Sequence, residues 1–124
     1  MGPKHFLNFE KISNQEFVSI IERGIELKNS NETEKTLKGK ILGLVFEQPS
    51  TRTRVSFEVG INNLGGSSIF LSGSELQLSR GEPISDTAKV LSSMLDVIVL
   101  RTDNHEKLEI FSQNSSVPVI NGLS

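Results

Sequence analysis

Apolar residues recur at Phe17, Ile20, Ile21, Ile25 and Leu27, with Gly24 on the same face. This is helical spacing, and it predicts a helix whose stripe packs on a core. Ser13-Asn14-Gln15-Glu16 marks its start as a capping box: the serine hydroxyl accepts from an early backbone N–H and the glutamate reaches back. Residues 29 to 36 are polar and read as a loop. The pattern then changes. Ile41-Leu42-Gly43-Leu44-Val45-Phe46 is apolar without alternation, as in a strand covered on both faces of a parallel sheet. Glu47-Gln48-Pro49-Ser50 breaks the run. A helix is predicted from about Thr51 to Leu64, with Val55, Phe57, Ile61 and Leu64 as candidate buried positions, and Gly65-Gly66 stops it.

Ser68-Ile69-Phe70-Leu71 predicts a second strand. Ser72 to Ser85 is polar and aperiodic, a long loop of the kind that is usually functional or mobile. Ser85 or Asp86 is expected to cap the next helix, which carries Ala88, Val90, Leu91 and Met94. Val97 to Leu100 predicts a third buried strand, ending in Arg101. A helix near Glu106–Gln113 follows, with Leu108 and Phe111, then a last strand at Val117-Pro118-Val119-Ile120. After the first helix, strands and helices alternate. That order predicts an α/β fold, a three-layer domain with a central four-stranded parallel sheet flanked by helices and right-handed crossovers.

The composition suits this reading: 124 residues, 35% hydrophobic and 23% charged, describe one soluble globular domain. The absence of cysteine removes disulfides, thiolate metal sites and a cysteine nucleophile from this chain. Only two histidines occur, His5 and His105, with no ligand-spaced partner, and both read as surface residues. A net charge of -2 gives no basic field for nucleic acid, so any anion site must be local. No apolar run is long enough for a membrane helix, no signal peptide is evident, and Phe6 spoils a myristoylation motif after Met1-Gly2. A cytoplasmic location is expected.

The densest chemical signal is Ser50-Thr51-Arg52-Thr53-Arg54, placed where a strand gives way to a helix. The first N–H groups of a helix lack partners and its dipole favours an anion. Three hydroxyls add donors, and two guanidinium forks suit phosphate or carboxylate. Neither a P-loop nor a dinucleotide fingerprint is present. The same residues also fit an ordinary cap with exposed arginines. Arg52 and Arg54, two apart, point differently, so one can face a ligand while the other anchors the structure. Arg101 lies at the carboxyl end of a strand, the ligand edge of a parallel sheet, although a surface arginine opening a loop has the same pattern. Gln77, Arg80, Glu82 and Asp86 fit a lid or an arm to another subunit, or else a solvated loop and a cap. No carboxylate pair or Ser-His-Asp set is identifiable.

Phe46 to Glu58, FEQPSTRTRVSFE, resembles the S-T-R-T-R signature of the aspartate and ornithine carbamoyltransferases. The likeness continues through Leu64-Gly65-Gly66, Gly81-Glu82, Asp86-Thr87-Ala88, Asp96 and Arg101. Val117 to Leu123, VPVINGL, looks like the ornithine branch, as do His5-Phe6-Leu7 and the first helix. The resemblance covers essentially this whole chain, but only the amino-terminal half of such an enzyme. It implies that residues 1–124 form a carbamoyl-phosphate-binding domain.

The resemblance also implies roles. Ser50, Thr51, Arg52 and Thr53 are implied phosphate ligands. Thr53 and Arg101 are implied contacts of the carbamoyl oxygen, and Gln77 is implied to reach the neighbouring subunit's carbamoyl phosphate. Arg80 aligns near a lysine that aspartate enzymes use similarly, at a place where ornithine enzymes vary. Glu82 resembles a structural partner of the arginine cluster. The implied reaction is attack by the neutral δ-amine of L-ornithine on carbamoyl phosphate, giving citrulline and phosphate. Arg52, Thr53 and Arg101 stabilise charge in that reaction, and no metal or organic cofactor takes part. The family's His-Pro-x-Gln motif and its ornithine domain lie outside these 124 residues, so the chain alone is expected to be inactive. The implied assembly is a homotrimer, and neither nucleic acid nor membrane is expected as a partner. The alternatives are a relative using aspartate, putrescine or acetylated ornithine, and a stand-alone, non-catalytic anion-binding or assembly domain.

Overall fold

The computed structural model describes residues 2–30, 35–73 and 83–123. Its elements run α1 (Asn14–Asn29), β1 (Ile41–Phe46), α2 (Thr51–Asn63), β2 (Ser67–Ser72), α3 (Ile84–Ser92), β3 (Val97–Arg101), α4 (His105–Gln113) and β4 (Val119–Asn121). The four strands are parallel, in the order β2-β1-β3-β4. From β1 the chain moves outward to β2, then returns past β1 to form β3 on its other side. The direction of winding therefore reverses between β1 and β3, and connections leaving there part to open a crevice at the carboxyl ends.

The unbroken apolar run of β1 is used on both faces. Leu42, Leu44 and Phe46 project to one side, where they join Val99 and Ile61 of α2, with Phe57 and Phe70 partly buried against them. Val45 projects to the other side with Ile98 and Leu100, against Ala88 of α3, Leu108 and Phe111 of α4, and Leu95. The period of two divides one strand between two layers of core. The result is the three-layer α/β domain predicted from the alternation of elements. Asp96 ties the amino ends of β1 and β3: its Oδ2 accepts the Ile41 N–H at 2.8 Å, and its own N–H donates to the Ile41 carbonyl at 2.9 Å. After α2, Gly65 takes a φ of 94°, in the region that glycine enters without steric cost.

Several sequence expectations change. The α1 stripe does not pack on this core: the helix has no buried residue, and Ile20, Ile21 and Ile25 are about half exposed. Both faces of the sheet are already covered by the other three described helices, which leaves α1 outside either core layer. Its capping box does form, with the Glu16 N–H donating to Ser13 Oγ at 3.1 Å, but the Glu16 carboxylate takes the Ser13 hydroxyl and the Lys4 ammonium. Those contacts, the Lys4 hydrogen bond first, lower the Glu16 pKa. Val55 on α2 and Val90 on α3 face solvent, and Met94, expected on that helix, is exposed in the turn beyond its end at Ser92.

Neither Ser85 nor Asp86 caps α3. Pro83 is the N-cap, with ψ 132°, and its carbonyl accepts the Asp86 and Thr87 N–H groups at 3.0 and 3.2 Å. Asp86 instead lies in the first turn, where its charge complements the helix dipole. The last strand begins at Val119, because Pro118 offers a carbonyl to the Ile98 N–H at 3.0 Å but has no N–H for a ladder.

His5 is also not a free surface residue. Its Nδ1 accepts the Val119 N–H at 2.9 Å, and Phe6 bridges Ile120 in parallel, so the amino-terminal arm covers the outer edge of β4. Burial lowers the His5 pKa, helped by the charge of Lys11 and opposed by a hydrogen bond to the Ser112 backbone.

Candidate functional site

The site is built where the winding reverses. Phe46 and Arg101 are register partners at the last positions of β1 and β3. Four residues beyond Phe46, Ser50 is the N-cap of α2, with an extended backbone and no side-chain cap bond. The Arg54 N–H is the first to close on the helix, donating to the Ser50 carbonyl at 3.0 Å. The N–H groups of Thr51, Arg52 and Thr53 therefore precede the intrahelical ladder, and the positive end of the helix dipole points out among them. A serine that caps with its hydroxyl satisfies one of those donors. Ser50 does not, so its hydroxyl is left available alongside them.

Arg101 reaches this helix end from the neighbouring strand. Its Nη1 donates to Thr53 Oγ1 at 3.3 Å and to the Gly122 carbonyl at 3.1 Å. Its Nε is buried and unpartnered among the described residues, an uncommon state for a buried donor. Gly122 lies just beyond β4, and its N–H donates to the Leu100 carbonyl at 2.8 Å. A side-chain Cβ at position 122 would fall 2.9 Å from Val99 Cγ1. Glycine is what lets the chain end lie close enough for its carbonyl to hold Arg101. The approach of Arg101 to Thr53 is the tertiary contact that turns a helix cap into a two-sided site.

The two arginines of α2 divide as their spacing allows. Arg52 is exposed and makes no hydrogen bond or ion pair among the described residues. Arg54 lies 3.7 Å over the Phe70 ring centroid and pairs with Glu58 at 3.0 Å. It anchors α2 to β2. Of the other residues singled out in the sequence, Gln77, Arg80 and Glu82 lie outside the described residues, and Asp86 sits in the first turn of α3.

Sequence reasoning missed Glu47, Thr102, Lys107 and Gly122. The Glu47 carboxylate accepts from the Thr102 hydroxyl and from Lys107 Nζ, the latter at 3.2 Å, and Lys107 also meets Asp103 at 3.5 Å. Desolvation pulls the Lys107 pKa down, but the hydrogen bonds and charges of Glu47 and Asp103 outweigh it and the net direction is up. The available signal was positional: Glu47 and Thr102 are the first residues past β1 and β3, at the ligand edge of the sheet.

Among the described residues no group of His, Cys, Asp and Glu is arranged to hold a metal ion. No described helix is long and apolar enough to cross a membrane. The end of α2 carries donors in sequence, the helix-end N–H groups, the hydroxyls of Ser50, Thr51 and Thr53 and the exposed guanidinium of Arg52, and Arg101 reaches Thr53 from β3. Such a set suits an oxyanion, and a guanidinium beside a hydroxyl suits a carbonyl oxygen that gains negative charge.

Known proteins have a similar sequence and fold. The chain is 56% identical over 124 residues to the ornithine carbamoyltransferase of Methylococcus capsulatus, covering 100% of this chain and 42% of that protein. The anabolic ornithine carbamoyltransferase of Campylobacter jejuni superposes with a TM-score of 0.93 at 46% identity, over 98% of this chain and 39% of that one. The catalytic subunit of M. jannaschii aspartate transcarbamoylase superposes with a TM-score of 0.84 at 37% identity, over 97% and 40% of the two chains. The chain thus spans about two-fifths of the length of these relatives. Residues 4–124 match the family model described as "Aspartate/ornithine carbamoyltransferase, carbamoyl-P binding domain". The donor set at the reversal of the sheet and the match along nearly every residue give one answer: the chain belongs to the aspartate/ornithine carbamoyltransferase family, as its carbamoyl-P binding domain.

Proposed function

We propose that this chain binds carbamoyl phosphate at the end of α2 and serves carbamoyl transfer to the δ-amine of L-ornithine, giving citrulline and phosphate. The observation that carries this reading is the contact of Arg101 Nη1 with Thr53 Oγ1. It places a guanidinium from one strand end against the hydroxyl of a helix end that already favours an anion. The phosphoryl group lies against the N–H groups and hydroxyls of Ser50, Thr51 and Thr53, with Arg52 closing over it from solvent. The carbamoyl oxygen lies toward Thr53 and Arg101.

In the reaction, the amine nitrogen forms a bond to the carbonyl carbon, the carbon–oxygen bond to phosphate breaks, and the proton the amine gives up is taken by the departing phosphate. Negative charge grows first on the carbamoyl oxygen and then on the departing phosphate. Arg101 and Thr53 stabilise the first, and Arg52 with the α2 dipole stabilises the second. Thr53, Arg101 and the end of α2 are placed by the fold before the reaction, so little reorganisation there opposes the charge shift. Because the chain spans about two-fifths of its relatives' length, the reading assigns the amino acid acceptor to the remainder of such an enzyme, which orients both reactants together for transfer. The reading extends to a homotrimer for the whole enzyme, in which Gln77, outside the described residues, serves a neighbouring subunit's carbamoyl phosphate. The ornithine branch is favoured over aspartate as acceptor by the names of the relatives with highest identity reported above.

The test is a titration of the chain with inorganic phosphate and with carbamoyl phosphate, followed by backbone amide shifts. Both ligands are expected to move residues 50 to 53, and carbamoyl phosphate is expected to move Arg101 more than phosphate does. Largest shifts elsewhere in the fold would remove the reading.

A further inference from the structure

Glu47 holds both residues at the β3 exit. Its N–H donates to the Arg101 carbonyl at 2.9 Å, extending the β1–β3 ladder by one bond. Its carboxylate accepts the hydroxyl of the next residue, Thr102, which is 1% exposed. The same carboxylate pairs with Lys107, in the first turn of α4, at 3.2 Å. The Glu47 side chain is 12% exposed, so these partners replace most of the water that an ionised carboxylate needs. Residue 47 also lies three positions before Ser50. One residue thus fastens the start of the α2 connection to the strand end that carries Arg101.

We infer that Glu47 is a positioning residue of the carbamoyl-phosphate site: by gripping Arg101 and Thr102 it sets the direction in which the Arg101 guanidinium leaves β3 toward Thr53. The inference rests on the binding reading above. Its physical basis is the geometry of the arginine. Arg101 Nη1 is shared between Thr53 and Gly122, while Nε has no partner among the described residues. The side chain is therefore held lightly at its tip, and its aim depends on how firmly the backbone at 101 and 102 is held. A carboxylate is a strong acceptor for a hydroxyl and an ammonium together, which makes the grip stiffer than a neutral contact.

The sign of the charge effect separates this role from simple electrostatics. Replacing Glu47 by glutamine removes a negative charge close to an anion site, and by charge alone that change favours anion binding. Weaker binding therefore reports lost positioning. Phosphate and carbamoyl phosphate are titrated into the chain and into Glu47→Gln, Thr102→Val, Thr102→Ser, Arg101→Lys and the double variant Glu47→Gln with Arg101→Lys. Amide shifts at residues 50 to 53 and the Arg101 Nε–Hε resonance are followed, with thermal unfolding measured on each protein.

Glu47→Gln and Thr102→Val are each expected to weaken carbamoyl phosphate about threefold to tenfold and to shift the Arg101 Nε–Hε resonance in the free protein. Thr102→Ser, which restores the hydroxyl, is expected to bind as the parent chain does. The double variant is expected to bind no worse than Arg101→Lys alone. Unchanged or tighter binding by Glu47→Gln, or losses that multiply in the double variant, would overturn the inference. Should Glu47→Gln fail to fold, the Thr102 pair decides it by the same comparison. A parent chain in which neither ligand moves residues 50 to 53 overturns the binding reading itself, and the positioning role with it.

Discussion

The Thr53 hydroxyl accepts a hydrogen bond from Arg101 Nη1 at 3.3 Å across 48 residues of sequence. Thr53 is in the first turn of α2 and Arg101 is the last residue of β3. Their meeting follows from the strand order, in which β1 and β3 are neighbours and end together at Phe46 and Arg101. The site is thus a property of the sheet's winding as much as of the STRTR segment.

Arg52 is expected to act on the ligand and not on the fold. It is exposed and makes no bond among the described residues, so Arg52→Ala should leave the melting temperature nearly unchanged. A charge-assisted contact is worth about 1.5–3 kcal/mol, so phosphate binding should weaken roughly tenfold to a hundredfold. Arg52→Lys keeps the charge but not the planar fork, and should recover only part of the loss. Isothermal titration of the three proteins checks this.

Arg54 should show the opposite pattern. Its guanidinium stacks on Phe70 at 3.7 Å and pairs with Glu58 at 3.0 Å. Both ionic side chains are over a third exposed, so water screens the pair. Arg54→Ala should cost about 1 kcal/mol of stability in all, a few degrees in melting temperature. Denaturant unfolding measures it, and binding at 50 to 53 should fall less than in Arg52→Ala.

Phe111 is fully buried between α4 and the sheet, among Ile98, Leu100, Leu108 and Val119. Phe111→Ala should cost about 3–5 kcal/mol, a large share of the roughly 5–15 kcal/mol that holds a domain folded. The midpoint of urea unfolding should drop sharply. A loss under about 1 kcal/mol would mean that the layer collapses around the gap.

The amino-terminal arm should loosen in acid. His5 Nδ1 must be unprotonated to accept the Val119 N–H, and burial holds its pKa below the usual 6.5. The unfolded chain therefore takes up a proton before the folded one. The contribution of His5 is complete above about pH 6.5 and is lost as pH falls from there through the folded pKa. Hydrogen exchange at the Val119 amide, compared between pH 7.5 and 5, should show the protection decline in the parent chain. His5→Ala should remove that pH dependence.

Much of this fold was legible in the chain, because its local patterns agree with its final structure. The unbroken run Ile41 to Phe46 required cover on two faces, and it received α2 on one side and α3 with α4 on the other. Ser50 to Arg54 announced an anion-favouring helix end through chemistry that is local to one turn. Periodicity misled at α1. It shows that a helix has an apolar face, but not that a partner within the described fold covers that face, and none of α1's residues is buried. It also could not show that Pro83 would start α3 in place of Ser85 or Asp86.

By itself the sequence determined the order and kind of the elements and the presence of donors after β1, since these depend on neighbours a few residues apart. The tertiary structure alone decided which of these groups meet. Strand order brought Arg101 to Thr53, close approach at Gly122 supplied the second acceptor, and Glu47 found Thr102 and Lys107 55 and 60 residues away. Contacts of that span are set by sheet register and helix packing, which act between segments and leave no periodic mark on any one of them.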